Sequence, residues 1–312
     1  GIEAAAQLVR RLLAETGVDA GSLLGLGAGI PGPIDHRTGR VIHGAILPEW
    51  VGIDLLGRLR QAFGIPVFID NDANLGALAQ ISWGPYQNVQ NLVFLKLGSG
   101  IGAGLILNGA PFYGNIGVTG EIGHATVADH GLICRCGNRG CLETVASTST
   151  MIELLSRGKS EPVSTEDIVR IALDGDPAAL RVIDDAGLAV GRALANVCNL
   201  VNPEVIVLGG SLTGLDAILL DPVRRGLLRH AVPAVGESTE LAMSGLSNRA
   251  EALGAATLVL CKCKPLRFRD EAEVGIAALD KLQRLRDVLA LHELVVLAPE
   301  EDLAEVNRAL AP

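Results

Sequence analysis

Residues 91–109 read Asn-Leu-Val-Phe-Leu-Lys-Leu-Gly-Ser-Gly-Ile-Gly-Ala-Gly-Leu-Ile-Leu-Asn-Gly, two β-rich runs, Leu92–Leu97 and Ile101–Leu107, joined by Gly98-Ser99-Gly100. Short apolar runs on either side of a glycine-rich turn predict a β-hairpin. The text before it is of another kind. Ile2, Ala5, Leu8, Val9, Leu12 and Leu13 fall at helical spacing and Gly17 supplies a stop, which predicts an amphipathic helix over 2–16. Leu23–Ile30 is a short apolar strand that runs into Pro31-Gly32-Pro33. Val67–Ile69, entered through Gly64-Ile65-Pro66, is another, and Asp70-Asn71-Asp72 offers capping side chains to the Ala- and Leu-rich helix that follows. After the hairpin come a long helix around Asp184–Leu200, a buried strand at Val205–Leu208, a Gly209-Gly210 turn and a helix near Ala250–Leu260. Strands alternating with helices predict an α/β fold. The expected division is a first lobe over 1–90, a larger α/β lobe over 91–264 that starts at the hairpin, and a C-terminal helical extension over 265–312. That extension reads as charged helix, short strand Leu294–Leu297, then helix from Pro299.

Composition narrows the function classes. Of 312 residues 49% are hydrophobic and only 3% aromatic, with 38 glycines, so the core is built from Ala, Val, Leu and Ile. Lys96, Asn108 and Arg192 interrupt the most apolar stretches before they reach the roughly 18 residues of a membrane span. Residues 1–17 have neither the basic flank nor the cleavage pattern of a signal peptide. A soluble, cytoplasmic protein without a membrane partner is expected. The net charge is −9 and no stretch clusters Lys and Arg, which speaks against direct DNA binding by these residues.

Of six cysteines, Cys134, Cys136 and Cys141 crowd into eight residues. With His124 they make three thiolates and one imidazole, the closed tetrahedral shell of a structural zinc ion, with no open position for a catalytic water. Gly137 and Gly140 let the loop fold tightly enough for the thiols to converge. Cys198 reads as an inert core residue, and Cys261 and Cys263 as incidental. The Asp70-Asn71-Asp72-Ala73-Asn74 run stands where a strand ends and a helix begins, the place ligands take in open α/β sheets. Taken alone it reads first as a helix cap; it also fits a site in which Asp72 takes a proton from a sugar hydroxyl while the Asn71 amide donates and accepts. Glu121 and Glu143 flank the zinc ligands. They are either solvated charges or carboxylates fixed to accept hydrogen bonds from vicinal hydroxyls. The turns at Gly98, Ser99 and Gly100 and at Gly209 and Gly210 are either tight turns or phosphate cradles.

Together these residues resemble the ROK family of repressors, open reading frames and sugar kinases over about residues 20–260. The matching runs are Gly-Ile-Pro-Gly-Pro-Ile-Asp at 29–35, Asn-Asp-Ala-Asn at 71–74, Leu-Gly-Ser-Gly-Ile-Gly-Ala-Gly at 97–104, Gly-Glu-Ile-Gly-His at 120–124, the cysteine run through Glu143, and Val-Ile-Val-Leu-Gly-Gly at 205–210. The resemblance implies a two-lobed α/β fold of the actin and hexokinase (ribonuclease-H-like) type, with a zinc loop over 120–143 and sugar in the cleft. It implies sugar contacts from Asn71, Asp72, Glu121, His124 and Glu143. In kinase members Asp72 would be the catalytic base, with ATP and Mg²⁺ across the cleft and phosphates on Gly98, Ser99, Gly100, Gly209 and Gly210. The family's opening Asp-x-Gly-x-Thr hairpin does not precede the first helix here, so an incomplete ATP site is expected. The wording at 135–147 and 248–255 looks more like the transcriptional regulators. The expectation is therefore a sugar-sensing, oligomerising module of a ROK-type regulator, a homodimer or homotetramer that does not turn over substrate. DNA would be engaged through a domain outside this chain. The alternative is an ATP-dependent hexose kinase.

Overall fold

The computed structural model describes residues 2–42, 51–159, 161–263 and 296–299. Along the chain the elements are α1 (Ile2–Thr16), β1 (Leu23–Ile30), β2 (Ile34–Asp35), β3 (Arg40–Val41), α2 (Leu55–Phe63), β4 (Val67–Asn71), α3 (Asp72–Ser82), β5 (Leu92–Leu97), β6 (Ile101–Leu107) and β7 (Ala110–Pro111). They continue with α4 (Glu143–Ala146), α5 (Thr148–Ser156), α6 (Thr165–Leu173), α7 (Pro177–Val201), β8 (Val205–Gly210), α8 (Ala217–His230), α9 (Pro233–Ser238), β9 (Glu240–Met243), α10 (Ala250–Cys263) and β10 (Val296–Pro299). Two compact units result: the described residues within 1–88, 109–118 and 248–312 form one, and those within 89–108 and 119–247 the other.

In the first unit β1 lies between β4, parallel to it from Leu26↔Val67 to Ile30↔Asn71, and β10, antiparallel to it with Leu26 opposite Leu297. Val9 and Leu12 of α1, Leu55 and Leu59 of α2, and Leu26, Ile30, Ile34 and Val67 make one buried core. The amphipathic spacing read from α1 is what places its apolar stripe there. Gly17, at φ +69°, ends that helix with its N–H on the Leu13 carbonyl at 2.9 Å. Helix α10 belongs to this unit, which corrects the expected lobe boundary at 264. The reason is backbone contact: a Cβ on Gly254 would collide with the Leu75 carbonyl of α3, and one on Gly27 of β1 with the Ala255 carbonyl. The Trp83 indole N–H adds a hydrogen bond to the Thr257 hydroxyl at 2.7 Å. Of the expected tail elements, the strand is present but sits at Val296–Pro299, two residues beyond Leu294–Leu297, and the flanking helices fall outside the described residues.

In the second unit the strands run in the order β6-β5-β8-β9. The hairpin read from the sequence forms in the register Leu92↔Ile106 to Leu97↔Ile101, while β5 and β8 are parallel from Leu92↔Val205 to Leu97↔Gly210. Val93, Leu95, Ile206 and Leu208 of the sheet pack against Ile183, Val190 and Leu194 of α7 and Val223 and Leu227 of α8. Helix α7 starts at Pro177 behind the Asp176 cap and stops at Asn202 in the left-handed conformation, the Pro-first pattern of helix ends. Among the described residues no helix is long and apolar enough to cross a membrane.

Candidate functional site

The second unit gathers His124, Cys134, Cys136 and Cys141. Gly120, at φ +79°, presses against β6 and accepts from the Ala103 N–H at 2.7 Å, so the short 3₁₀ turn Ile122–His124 lies along that strand. The cysteine loop closes on itself through Cys134 N–H to Asn138 O at 2.7 Å and Gly140 N–H to Leu132 O at 2.8 Å. Both loop glycines have positive φ, +92° at Gly137 and +67° at Gly140, the conformation for which glycine was expected there. The four ligand atoms lie within 4.8 Å of one another, with Cys136 Sγ to Cys141 Sγ and Cys134 Sγ to His124 Nδ1 both 3.7 Å. Metal–sulfur bonds of about 2.3 Å put the corners of a tetrahedron roughly 3.8 Å apart, so this set fits one ion with thiolate affinity. Burial pushes the Cys134 and Cys141 thiols up, Cys141 to about 12, where hydrogen bonds and charge repulsion from the neighbouring thiols add to the rise. Burial also opposes ionisation of Cys136, but hydrogen bonds from the Asn138 backbone and the neighbouring thiols hold it below its ordinary value. A bound cation would favour all three thiolates.

His124 faces two ways. Its Nδ1 is the nitrogen beside Cys134, and its Nε2 lies 3.8 Å from Glu121 Oε2. Glu143, at the start of α4, is no solvated charge: its side chain is 8% exposed. Its Oε1 accepts from Ile101 N–H at 3.0 Å, and its Oε2 from Arg135 Nε at 3.1 Å and Nη2 at 3.0 Å. Glu121 is about one-third exposed.

The two glycine turns come together at the carboxyl ends of β5 and β8. Leu97 pairs with Gly210, and Ser211 N–H donates to Leu97 O at 3.1 Å. Gly98 closes its own turn with its N–H on Gly100 O at 3.1 Å.

In the first unit β4 delivers Asp70-Asn71-Asp72 to the N-terminus of α3. Asn71 is the cap: its Oδ1 accepts from Ala73 and Asn74 N–H, and its Nδ2 donates to Gly32 O at 3.0 Å. Asp72 Oδ1 accepts from Ala73 N–H at 2.8 Å. Asp70, 1% exposed, is the centre of a network that sequence reasoning missed. Its Oδ1 accepts from Asn71 N–H at 2.7 Å and Asn74 Nδ2 at 2.9 Å and lies 3.1 Å from His36 Nε2, while its Oδ2 accepts from Tyr113 Oη at 2.9 Å. The His36 and Tyr113 rings sit 4.0 Å apart, and burial together with the Asp70 charge pushes the Tyr113 phenol far up. His36 and Tyr113 stand 34 and 43 residues from Asp70, and no spacing signals that.

An α/β architecture with these features is that of the actin-like, hexokinase-type fold. A ROK family glucokinase from Streptomyces griseus, solved in complex with glucose and AMPPNP, superposes with a TM-score of 0.68 at 27% identity, over 74% of this chain and 80% of that one. The ROK family model matches residues 2–262, and the chain belongs to that family. A glucokinase of Halalkalibacterium halodurans is 34% identical over 252 residues, 76% of each chain. A xylose repressor of Bacillus spizizenii is 34% identical over 238 residues, 76% of this chain; the match spans 61% of that repressor's length. The family thus holds both enzymes and regulators at the same distance from this sequence.

Proposed function

We propose that the chain binds a sugar or sugar derivative through Asn71, Asp72, Glu121, His124 and Glu143, and that it is the effector-sensing part of a ROK-type transcriptional regulator. The observation that carries the sugar reading is the pairing at His124. With Nδ1 committed to a Zn²⁺ ion held also by Cys134, Cys136 and Cys141, Nε2–H is left as a donor 3.8 Å from the Glu121 carboxylate. One donor and one acceptor side by side match a hydroxyl, which accepts and donates. The ion is structural: four protein ligands close its shell. The regulator reading is supported by the likeness to the xylose repressor. In that reading DNA is engaged by a domain other than these residues, and the module assembles as a homodimer or homotetramer.

A second reading, an ATP-dependent sugar kinase, is favoured by the meeting of the two glycine turns at the ends of β5 and β8. Gly98, Ser99, Gly100, Gly209 and Gly210 would there line a phosphate site, and Asp72 would take the proton of the attacking hydroxyl. The deciding experiment pairs calorimetric titration of D-glucose, D-xylose and N-acetyl-D-glucosamine with a coupled ADP-release assay in ATP and Mg²⁺. Binding without turnover is the expected result. Sugar-dependent turnover of roughly 1 s⁻¹ or more, abolished by Asp72→Asn, establishes the kinase instead. Absence of binding by all three sugars removes both readings for those ligands.

A further inference from the structure

We infer that Arg135 is a positioning residue for Glu143: carried on the candidate metal loop, its guanidinium neutralises and orients that carboxylate and ties the loop to the β5–β6 turn. The inference rests on the proposed sugar-binding role of Glu143, and its first measurement is independent of that role.

A carboxylate as shielded from water as Glu143 needs partners that replace its hydration. It has two sets. The Ile101 N–H holds Oε1, and Nε and Nη2 of Arg135 converge on Oε2. Arg135 lies between Cys134 and Cys136, so the loop that would close around the metal also aims the guanidinium. Its Nη2 reaches the Ser99 carbonyl as well, at 3.4 Å. The same turn is held from its other side, where Thr148 N–H donates to Gly98 O at 2.9 Å. Around Glu143 itself the backbone is fixed: its carbonyl accepts from Thr150 Oγ1 at 3.1 Å, and a Cβ on Gly123 would stand 3.0 Å from Glu143 Cγ. What remains is rotation about the outer bonds of the Glu143 side chain, which the Ile101 N–H restrains at Oε1 and Arg135 at Oε2.

Two consequences follow for a ligand. The carboxylate keeps one lone pair, on Oε1, to accept a hydroxyl, since Oε1 takes one bond and Oε2 two. Its charge is already balanced, so it gives a ligand ammonium little reward over a neutral hydroxyl. A planar guanidinium with two donors on one oxygen fixes direction as well as charge, which a lysine cannot do.

The test uses the intact chain and Arg135→Gln, with zinc content measured on both. Amide hydrogen exchange at Ile101 reads the Glu143 contact directly. In Arg135→Gln it is expected to speed up about tenfold or more relative to neighbouring β6 amides, with zinc content unchanged. Unchanged exchange at Ile101 overturns the inference. If Arg135→Gln loses zinc or fails to fold, Arg135→Lys decides: partial acceleration supports the role, and parent-like exchange overturns it. Calorimetry with D-glucose, D-xylose and N-acetyl-D-glucosamine forms the second arm, where a 10- to 100-fold loss of affinity is expected of a residue acting through a ligand-contacting one. Parent-like affinity in Arg135→Gln overturns the inference. If the parent binds none of these sugars, the sugar reading fails for them while Ile101 exchange still judges Arg135.

Discussion

Replacing Cys136 by serine separates metal binding from packing, because Cys136 is only partly buried whereas Cys134 and Cys141 are buried. Serine keeps the shape but gives up the thiolate, so a loss seen at this position is loss of the ion. The magnitude follows from linkage: an ion that binds only the folded state, at 100 to 1,000 times its dissociation constant, stabilises by about 2.7 to 4.1 kcal/mol. The ligands all lie in the second unit, of about 150 residues. For a domain of that size each kcal/mol moves the thermal midpoint by roughly 2–4 °C, so removing the metal should lower it by roughly 5–16 °C. The assay is scanning calorimetry of parent and Cys136→Ser, each with zinc and each after chelation. The parent with zinc should stand alone at high temperature. The other three samples should melt within roughly 2 °C of one another, since without metal the substitution is a small change at a partly exposed site. If chelation leaves the parent's midpoint where it was, the four residues do not hold a stabilising ion. If Cys136→Ser melts well below the chelated parent, the thiol acts through packing and the argument from linkage fails.

Two further outcomes test the first unit. Asp70→Ala removes the acceptor shared by His36, Tyr113, Asn71 and Asn74 and leaves buried donors unpaired, so urea unfolding should show a loss of more than about 2 kcal/mol; a loss under about 0.5 kcal/mol would mean that the network contributes little. Gly254→Ala places a Cβ on the Leu75 carbonyl and should cost about 1–3 kcal/mol by forcing α10 from α3, against near neutrality for Gly245→Ala, where the added Cβ meets no neighbouring atom. Equal midpoints for the two variants would refute the close approach.

What the sequence made legible was local. The β5–β6 hairpin is written in adjacent residues, two apolar runs and a three-residue turn, and the structure places it in that register. The meeting of His124 with Cys134, Cys136 and Cys141 was legible for the same reason: three of the four fall within eight residues, and the fourth ends the Glu-Ile-Gly-His run. What stayed hidden depends on contacts between segments far apart in the chain. Helix α10 reads as apolar and rich in small residues, which announces close packing but names no partner; only the meeting of Gly254 with Leu75 and of Ala255 with Gly27 assigns it to the first unit. The Asp70 network is hidden in the same way, because a His after β2 and a Tyr after β7 carry no mark of a common destination. Arg135 was in plain view inside the cysteine run, yet residue type alone did not show that its guanidinium turns toward Glu143.

The hydrogen-bonding capacity of the proposed ligand-binding residues is divided between fold and ligand, and the division explains their precision. Asn71 uses its amide oxygen on two backbone N–H groups and one Nδ2 hydrogen on Gly32, which leaves a single donor direction. Glu143 gives one lone pair of Oε1 to Ile101 and both of Oε2 to Arg135 and retains the second lone pair of Oε1 at a fixed angle. His124 turns one nitrogen toward the thiols and the other toward Glu121. In each case the structural bonds set the direction of what is left over, so a ligand meets groups that do not have to be ordered on binding, and affinity is not spent on ordering them. The same division means that substituting any of these residues removes a structural bond together with a ligand bond. A loss of binding at Asn71 or Glu143 is therefore evidence of ligand contact only when it exceeds the accompanying loss of stability, and the two have to be measured on the same variant.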